Sequence, residues 1–398
     1  MTVHGSWTRA AESAMLLGAD GTLSQTIFAE MTALASRHGA VNLGQGFPDE
    51  DGPAEVLEAA RQAISDGVNQ YPPGIGLPVL REAIAQHQRR FYGLEVDPDT
   101  EVMVTAGATE AIAATILALT EPGDEVLTFS PFYDSYGAMI GLARAEHRTV
   151  PLRGPHFQPD HDELRAAVND RTRIILINDP HNPTGSVFGR ETLEFVVELA
   201  HRHDAIIMTD EVYEHLVFDA PHVPIATLPG AAERTVSISS GGKTFNATGW
   251  KVGWLTAPAQ LLQPILAVKQ FLTYSNAAPF QPAIAAGLGL DDAFFAAASA
   301  TLRRRRDALA EGLTAAGFAV QLPAAGYFIV ADAAALGATD AHDFCRALPE
   351  RAGVAAVPLT AFVHPEQRES VASLVRFAFC KRDEVIAEAS ERLLALRS

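Results

Sequence analysis

Lys243 follows two glycines in the segment SSGGKTFNATGWKVGW, residues 239 to 254, and Lys251 lies eight residues further on. Glycines let a backbone approach a bound group closely. The ending Gly242-Lys243-Thr244 mimics the close of a G-x-x-x-x-G-K-[ST] phosphate loop, but Ser237 occupies the place of that motif's first glycine. The alternative is a lysine nucleophile forming a Schiff base with a carbonyl cofactor, helped by an electropositive or desolvated setting. Two solvated surface lysines would give the same letters, and this segment alone leaves those two readings open.

AIIMTDEVY places Asp210 at the carboxyl end of an apolar run, where open α/β sheets put their ligands. A carboxylate desolvated there is costly unless a cation or several donors face it, which suits a protonated ring nitrogen. A structural cap for a following helix is the competing reading. Tyr213 falls on the same side if the chain turns helical. TAGATEAI, residues 105 to 112, reads as a strand, a small-residue turn and a helix start, with Thr109 near the first turn. Unpaired amides and the helix dipole make such a turn an anion site, although turns of this kind are common. In NDPHNPTG (178 to 185), Asn182 stands between His181 and Pro183, so a stiff turn holds its amide where it could bond a ligand oxygen or simply be a turn residue. LVRFAFC (374 to 380) alternates, placing Arg376 among small and apolar neighbours. Its planar fork suits a substrate carboxylate, and a structural ion pair is the other explanation.

Other chemistries find little support. There is no H-E-x-x-H and no G-x-S-x-G, and His201 and His203 read as ordinary helix residues, so no metal is expected. Arg303 to Arg306 read as a solvated charge run. Thirty Lys plus Arg against forty-eight Asp plus Glu leave a net charge of −18, which draws the protein neither to nucleic acid nor to an anionic membrane. Cys345 and Cys380 are the only cysteines, a usage that fits a reducing compartment. No stretch approaches the roughly 18 apolar residues of a membrane helix, and the opening MTVHGSWTRAAESAMLLGAD lacks a signal peptide's basic and apolar regions. A cytoplasmic location is the expectation.

Elements must position these groups. The 398 residues are 48% hydrophobic, 20% charged and 8% aromatic, ordinary globular usage that excludes collagenous, disordered and coiled-coil chains. From residue 101 short apolar runs alternate with helix-period segments, which argues βαβ units and a parallel sheet. Expected strands are 101–105, 125–129, 173–178, 205–210 and 235–240, with helices at 108–119 and 191–202. Strands so uniformly apolar should be covered on both faces. After residue 290 an Ala- and Arg-rich helix and the runs at 325–332 and 374–380 suggest a smaller α+β domain. The division expected is 1–48 as an arm joined to the small domain, 49–290 as the large domain and 291–398 as the small one, with the ligand cleft between them.

Taken in order, these segments resemble the class I/II aminotransferases, fold-type I enzymes that use pyridoxal 5′-phosphate, from Thr26 to the C-terminus. The resemblance implies an α/β fold, with a mainly parallel seven-stranded sheet in the large domain plus a smaller α+β domain. It implies that Lys243 carries the cofactor and shuttles a proton, while Ser240, Lys251 and the amides of Ala108 and Thr109 hold its phosphate. Asp210 would pair with the pyridine nitrogen, Tyr213 and Asn182 would bond the ring hydroxyl, and Tyr133 of SPFYDSY would stack on the ring. Arg376 would grip the substrate α-carboxylate with help from Asn182 and the backbone of Gly46. Tyr71 of NQYPPG would reach the phosphate of a neighbouring subunit, making a homodimer with shared sites, to which Tyr274 to Ala277 would add contacts from the partner. His181 departs from the Asn-Asn-Pro form of aspartate aminotransferases, which argues against aspartate.

Within the family, AVNLGQGFPDEDGP, GVNQYPPGIG, PFYDSYGAMI, TDEVYEHLVFD and VRFAFCKRD look most like the actinobacterial branch acting on N-succinyldiaminopimelate in lysine biosynthesis, with 2-oxoglutarate as partner substrate. Kynurenine and methionine aminotransferases with cysteine-conjugate β-lyase activity share many of these phrases and are the alternative. A non-catalytic pyridoxal-phosphate module is a third reading. Such regulators carry an added DNA-binding domain, and no helix-turn-helix region precedes residue 26.

Overall fold

A computed structural model describes residues 5–18, 20–219 and 221–397, so the first four residues of the expected arm lie outside it. Its large sheet runs in the order Val102–Ala106, Val252–Thr256, Thr235–Ser240, Ile206–Asp210, Thr172–Asn178, Glu125–Ser130 and Glu146–Arg153, and the two-residue strand Gln158–Pro159 extends the last edge. Only Val252–Thr256 among the seven long strands runs against the rest. The mainly parallel seven-stranded sheet is therefore present, with one short antiparallel addition.

Alternate side chains explain the apolar runs. Leu127, Phe129, Ile175, Ile177 and Ile207 enter one core, while Val126, Ile174, Leu176, Ile206 and Met208 enter another on the opposite face. A strand covered on both sides loses its polar alternation. The strands expected at 125–129, 173–178, 205–210 and 235–240 fall within a residue of those observed.

A second sheet, wholly antiparallel, orders Ala319–Gln321, Phe328–Asp332, Leu374–Ala378 and Val357–Pro358. Val41–Asn42 pairs in parallel with Val354–Ala355, joining residues near position 40 to this smaller unit. Ahead of it, helix Ile27–His38 starts on Thr26, whose side chain accepts from the Ala29 amide, and stops at left-handed Gly39.

The arginine run departs from expectation. Arg303 and Arg304 are exposed, but Arg305 and Arg306 are only 9% and 2% exposed. Arg305 pairs with Glu50 at 2.7 Å and Asp383 at 2.7 Å, and Arg306 pairs with Asp219 and with Asp307. Four consecutive residues exceed one 3.6-residue turn, so they cannot all share the solvent face of helix Asp292–Ala316. Among the described residues no single helix is long and apolar enough to cross a membrane.

Candidate active site

The parallel strands end on one edge of the large sheet, and that edge builds a cavity of ≈ 400 Å³. Gly46, Ala108, Thr109, Tyr133, Asn182, Asp210, Tyr213, Ser240, Lys243, Lys251 and Arg376 all line it. Tyr71 and the segment 274–277 lie elsewhere: Tyr71 is 83% exposed, with its ring against Tyr274.

At one end, strand Val102–Ala106 runs directly into helix Gly107–Leu119. Gly107 has φ +73, a left-handed conformation that residues with a Cβ rarely adopt, and a Cβ there would also crowd the Lys251 side chain, 3.0 Å from its Nζ. The first-turn amides, including those of Ala108 and Thr109, have no intrahelical acceptors. Lys251 Nζ donates to Thr109 Oγ1 at 3.3 Å. Ser240 Oγ caps helix Gly241–Thr244 by accepting from the Gly242 amide at 3.1 Å. Amides, a hydroxyl and an ammonium converging at a helix N-terminus suit a phosphate group.

Asp210 ends strand Ile206–Asp210 and is 5% exposed. The Tyr136 hydroxyl donates to its Oδ2 at 2.6 Å and the Val212 amide reaches Oδ1 at 3.4 Å. Burial raises its pKa, and no cation forms an ion pair with it among the described residues. Asn178, in register with Asp210 on the adjacent strand, donates to the Asp210 carbonyl at 2.8 Å and accepts from the Asn182 amide at 2.7 Å. One side chain thus fixes both site-bearing turns. His222 ties the same turns from behind, with Nδ1 3.4 Å from Asp179 and Nε2 3.9 Å from Glu211. Burial alone would lower its pKa, but the two carboxylates outweigh it and raise it to about 10.

Lys243 Nζ donates to the Gly46 carbonyl at 3.3 Å, between the rings of Tyr213 and Tyr327 at 5.6 and 5.5 Å. Burial lowers its pKa, favouring the neutral amine that a nucleophile requires. The Tyr327 hydroxyl fixes its backbone by donating to the Lys243 carbonyl at 2.7 Å. Tyr133 stands over the cavity, its phenol pushed up to about 12 mainly by burial.

Arg376, 2% exposed, closes the other end. It donates to Asn182 Oδ1 at 3.0 Å and the Gly44 carbonyl at 3.2 Å, while its Nε is buried without a partner. No carboxylate pairs with it among the described residues, so the structural ion pair allowed by the sequence is not what holds it there. Its guanidinium instead lies 3.9 Å from the Phe328 ring centre, with Phe362 and Phe28 at 4.5 and 5.4 Å. Burial lowers its pKa to about 10, which still leaves it charged at neutrality.

Away from the cavity, His87, Glu214 and His215 bring ligand-type atoms within 4.8 Å of one another. Most of their atoms are already engaged: His87 Nε2 faces His215 Nε2 at 2.6 Å, and Glu214 accepts from Tyr92 at 2.5 Å and from Ser239, while His87 Nδ1 is buried without a partner. The cluster is a polar core behind the turn that follows Asp210.

The cavity therefore offers an anion cup, a desolvated amine, and a buried carboxylate and a buried guanidinium that form no ion pair among the described residues. Pyridoxal 5′-phosphate would fit that donor set: the cup could hold its phosphate, Asp210 could meet its ring nitrogen and Lys243 its carbonyl, which would leave Arg376 for a carboxylate substrate. A doubly wound sheet carrying this set is the framework of an enzyme using that cofactor. A model of the family aminotransferase class I and II matches residues 38–393, and the chain belongs to that pyridoxal-phosphate-dependent family. Over 380 residues it is 54% identical to the probable N-succinyldiaminopimelate aminotransferase of Mycobacterium tuberculosis (strain H37Rv), covering 93% of this chain and 96% of that protein. The solved structure of N-succinyldiaminopimelate aminotransferase from Mycobacterium tuberculosis matches with a TM-score of 0.91 at 54% identity, covering 94% of this chain and 97% of that one. The methionine aminotransferase of Escherichia coli (strain K12) is 40% identical over 376 residues, covering 94% and 96%.

Proposed function

We propose that the protein transfers an amino group reversibly between N-succinyl-L,L-2,6-diaminopimelate and 2-oxoglutarate, in the cytoplasm, as a homodimer with shared sites. Arg376 carries the reaction class: a buried guanidinium with an unpartnered Nε, across the cavity from Lys243, is a receptor for the carboxylate of an amino acid. The relative at 54% identity supports the substrate.

Bound pyridoxal phosphate supplies an electron sink and a carbon that carries the amino group between half-reactions. Ser240, Lys251 and the amides of Ala108 and Thr109 hold its phosphate, and Tyr133 covers its ring. Asp210 holds a proton at the ring nitrogen, and Tyr213 and Asn182 orient the ring oxygen. Lys243 Nζ would take the proton from the substrate Cα and pass it to the cofactor carbon that carries the amino group, and the reverse in the second half-reaction, a task helped by the burial that lowers its pKa. Arg376, Asn182 and the backbone at Gly46 orient the α-carboxylate, and Phe28, Phe328 and Phe362 keep water from the guanidinium. Amino acid and oxo acid carry the same α-carboxylate, so one fork serves both halves of a ping-pong cycle. Tyr71 is exposed and does not line its own chain's cavity, which supports a role at the site of a second subunit.

Replacing the fork tests its role. Arg376→Lys should raise KM for amino and oxo acids and lower kcat/KM by about 2 kcal/mol, because one ammonium cannot reproduce a bidentate grip. Unchanged KM values would make Arg376 a packing residue. The substrate is tested by kcat/KM for N-succinyldiaminopimelate against kynurenine, methionine and aspartate, with an assay for pyruvate release from cysteine conjugates. The succinylated donor should lead. If kynurenine or methionine leads by roughly tenfold, about 1.4 kcal/mol, the lysine-pathway assignment gives way to the alternative.

A further inference from the structure

Lys269 is a buried cation with no use in the mechanism above. It lies near the end of helix Ala259–Leu272, is 1% exposed, and pairs with no carboxylate among the described residues. Burial disfavours its charge. A methionine would fill similar space without that desolvation, so what the ammonium does must lie in its donors. Two of them are spent on backbone carbonyls, that of Gly74 at 2.6 Å and that of Tyr274 at 2.7 Å.

Those carbonyls belong to loops about two hundred residues apart, and each loop carries an exposed aromatic ring. Gly74 follows Tyr71 by three residues, and the Tyr71 and Tyr274 rings pack with centroids 5.7 Å apart at 57°. Tyr71 is 83% and Tyr274 41% exposed. Tyr274 has φ 62, a left-handed conformation unfavourable for a residue with a side chain. Lys269 holds it there from both sides: its carbonyl accepts from the Tyr274 amide at 3.3 Å while its ammonium binds the Tyr274 carbonyl. The same loop is fastened to the phosphate-cup turn. Thr273 donates to Glu110, which accepts from the Ala106 amide at 2.6 Å, and Asn276 donates to the Thr105 carbonyl at 3.1 Å and the Lys251 carbonyl at 3.2 Å.

We propose that Lys269 is a positioning residue acting in trans, which locks Tyr71 and Tyr274 into one aromatic pair that completes the site of the partner subunit. This rests on the shared-site homodimer proposed above. It makes the loop conformation of one chain a determinant of the other chain's turnover, with no contact between Lys269 and either substrate.

Differentially tagged hybrid dimers separate the possibilities. The Lys269→Met homodimer should lose roughly tenfold in kcat/KM, since displacement of a positioning group by a fraction of an ångström is enough for that. Paired with Lys243→Ala chains, the Lys269→Met chain keeps the live site and receives its aromatic pair from a chain with Lys269, so kcat/KM per live site should return to native. A chain carrying both substitutions, paired with a native chain, should impose the tenfold loss on the native chain's site. Lys269→Arg, which keeps a cation with several donors, should recover most of the activity. Lys269→Gln, run beside Lys269→Met against failure of the latter to fold, should show the same trans pattern. Native kcat/KM in the homodimer, or a loss that stays with the chain lacking Lys269, overturns the proposal. Tyr71→Phe in the same pairings is the control: if its own defect fails to cross to the partner, the shared-site reading falls, whereas a defect that crosses for Tyr71 but not for Lys269 refutes Lys269 alone.

Discussion

Lys243→Ala should abolish transamination, with kcat reduced by about 10⁴-fold, the upper range for loss of a positioned acid–base group. The visible absorbance of covalently held cofactor should vanish with it, and borohydride should fix no cofactor to the protein. No other amine can take over. The chain has four lysines, at positions 243, 251, 269 and 381. Lys251 stands at the phosphate cup against Thr109, Lys269 is held by the Gly74 and Tyr274 carbonyls, and Lys381 donates to the Phe47 carbonyl at 2.7 Å. Burial lowers the Lys243 pKa, which favours the neutral form that can hold a carbonyl or accept a proton. The substitution removes one donor from the Gly46 carbonyl and leaves the Tyr327 bond to the Lys243 backbone position intact, so the fold should survive. A reducible adduct mapped to another lysine would sink the assignment.

The residues readable from sequence share a location. Asp210, Ser240 and the turn at 106–109 follow apolar strands, and the carboxyl ends of parallel strands converge on one edge whatever the rest of the chain does. Strands such as Thr172–Asn178 and Ile206–Asp210 are legible because two cores cover them, leaving unbroken apolar runs. Glu146–Arg153 is not, because it lies near the sheet edge, alternates exposed with buried residues and contains Pro151. Val252–Thr256 hides in the segment read for its lysines, and its antiparallel direction is invisible without its neighbours.

What the sequence conceals is the support behind each group. Tyr136 reaches Asp210 across 74 positions, and Phe28 and Phe328 approach Arg376 from different ends of the chain. Asn178 left a usable signal, since parallel strands ending in NDPHNP and TDEVY bring their last residues level, and Asn178 is in register with Asp210. His222 left none: a lone histidine in a loop shows nothing of the carboxylates on either side of it.

The second large effect should come from Asp210→Ala, which separates cofactor holding from cofactor activation. The phosphate cup and Lys243 lie on other elements, so the variant should still bind pyridoxal phosphate, with a Kd weakened by about ten- to a hundredfold, the roughly 1.5–3 kcal/mol of one hydrogen bond to a charged group. Turnover should not survive so well. A carboxylate and a cation about 4 Å apart attract by about 4 kcal/mol at an effective dielectric constant near 20. If that attraction is what keeps the ring nitrogen protonated, its loss should lower kcat by about 10² to 10³-fold, the range seen when one charge-stabilising group is removed from an active site. Asp210 is suited to this because its own surroundings compensate it poorly: one phenol at 2.6 Å and one distant amide stabilise the anion, and burial raises its pKa. A protonated ring nitrogen removes that disadvantage and gains a counter-ion, so each charge sustains the other. Asp210→Asn keeps the shape and can still meet the Tyr136 hydroxyl, so it should bind cofactor at least as well as the alanine variant while remaining comparably slow. Near-native kcat in either variant would show that the charge of Asp210 is not what drives the reaction.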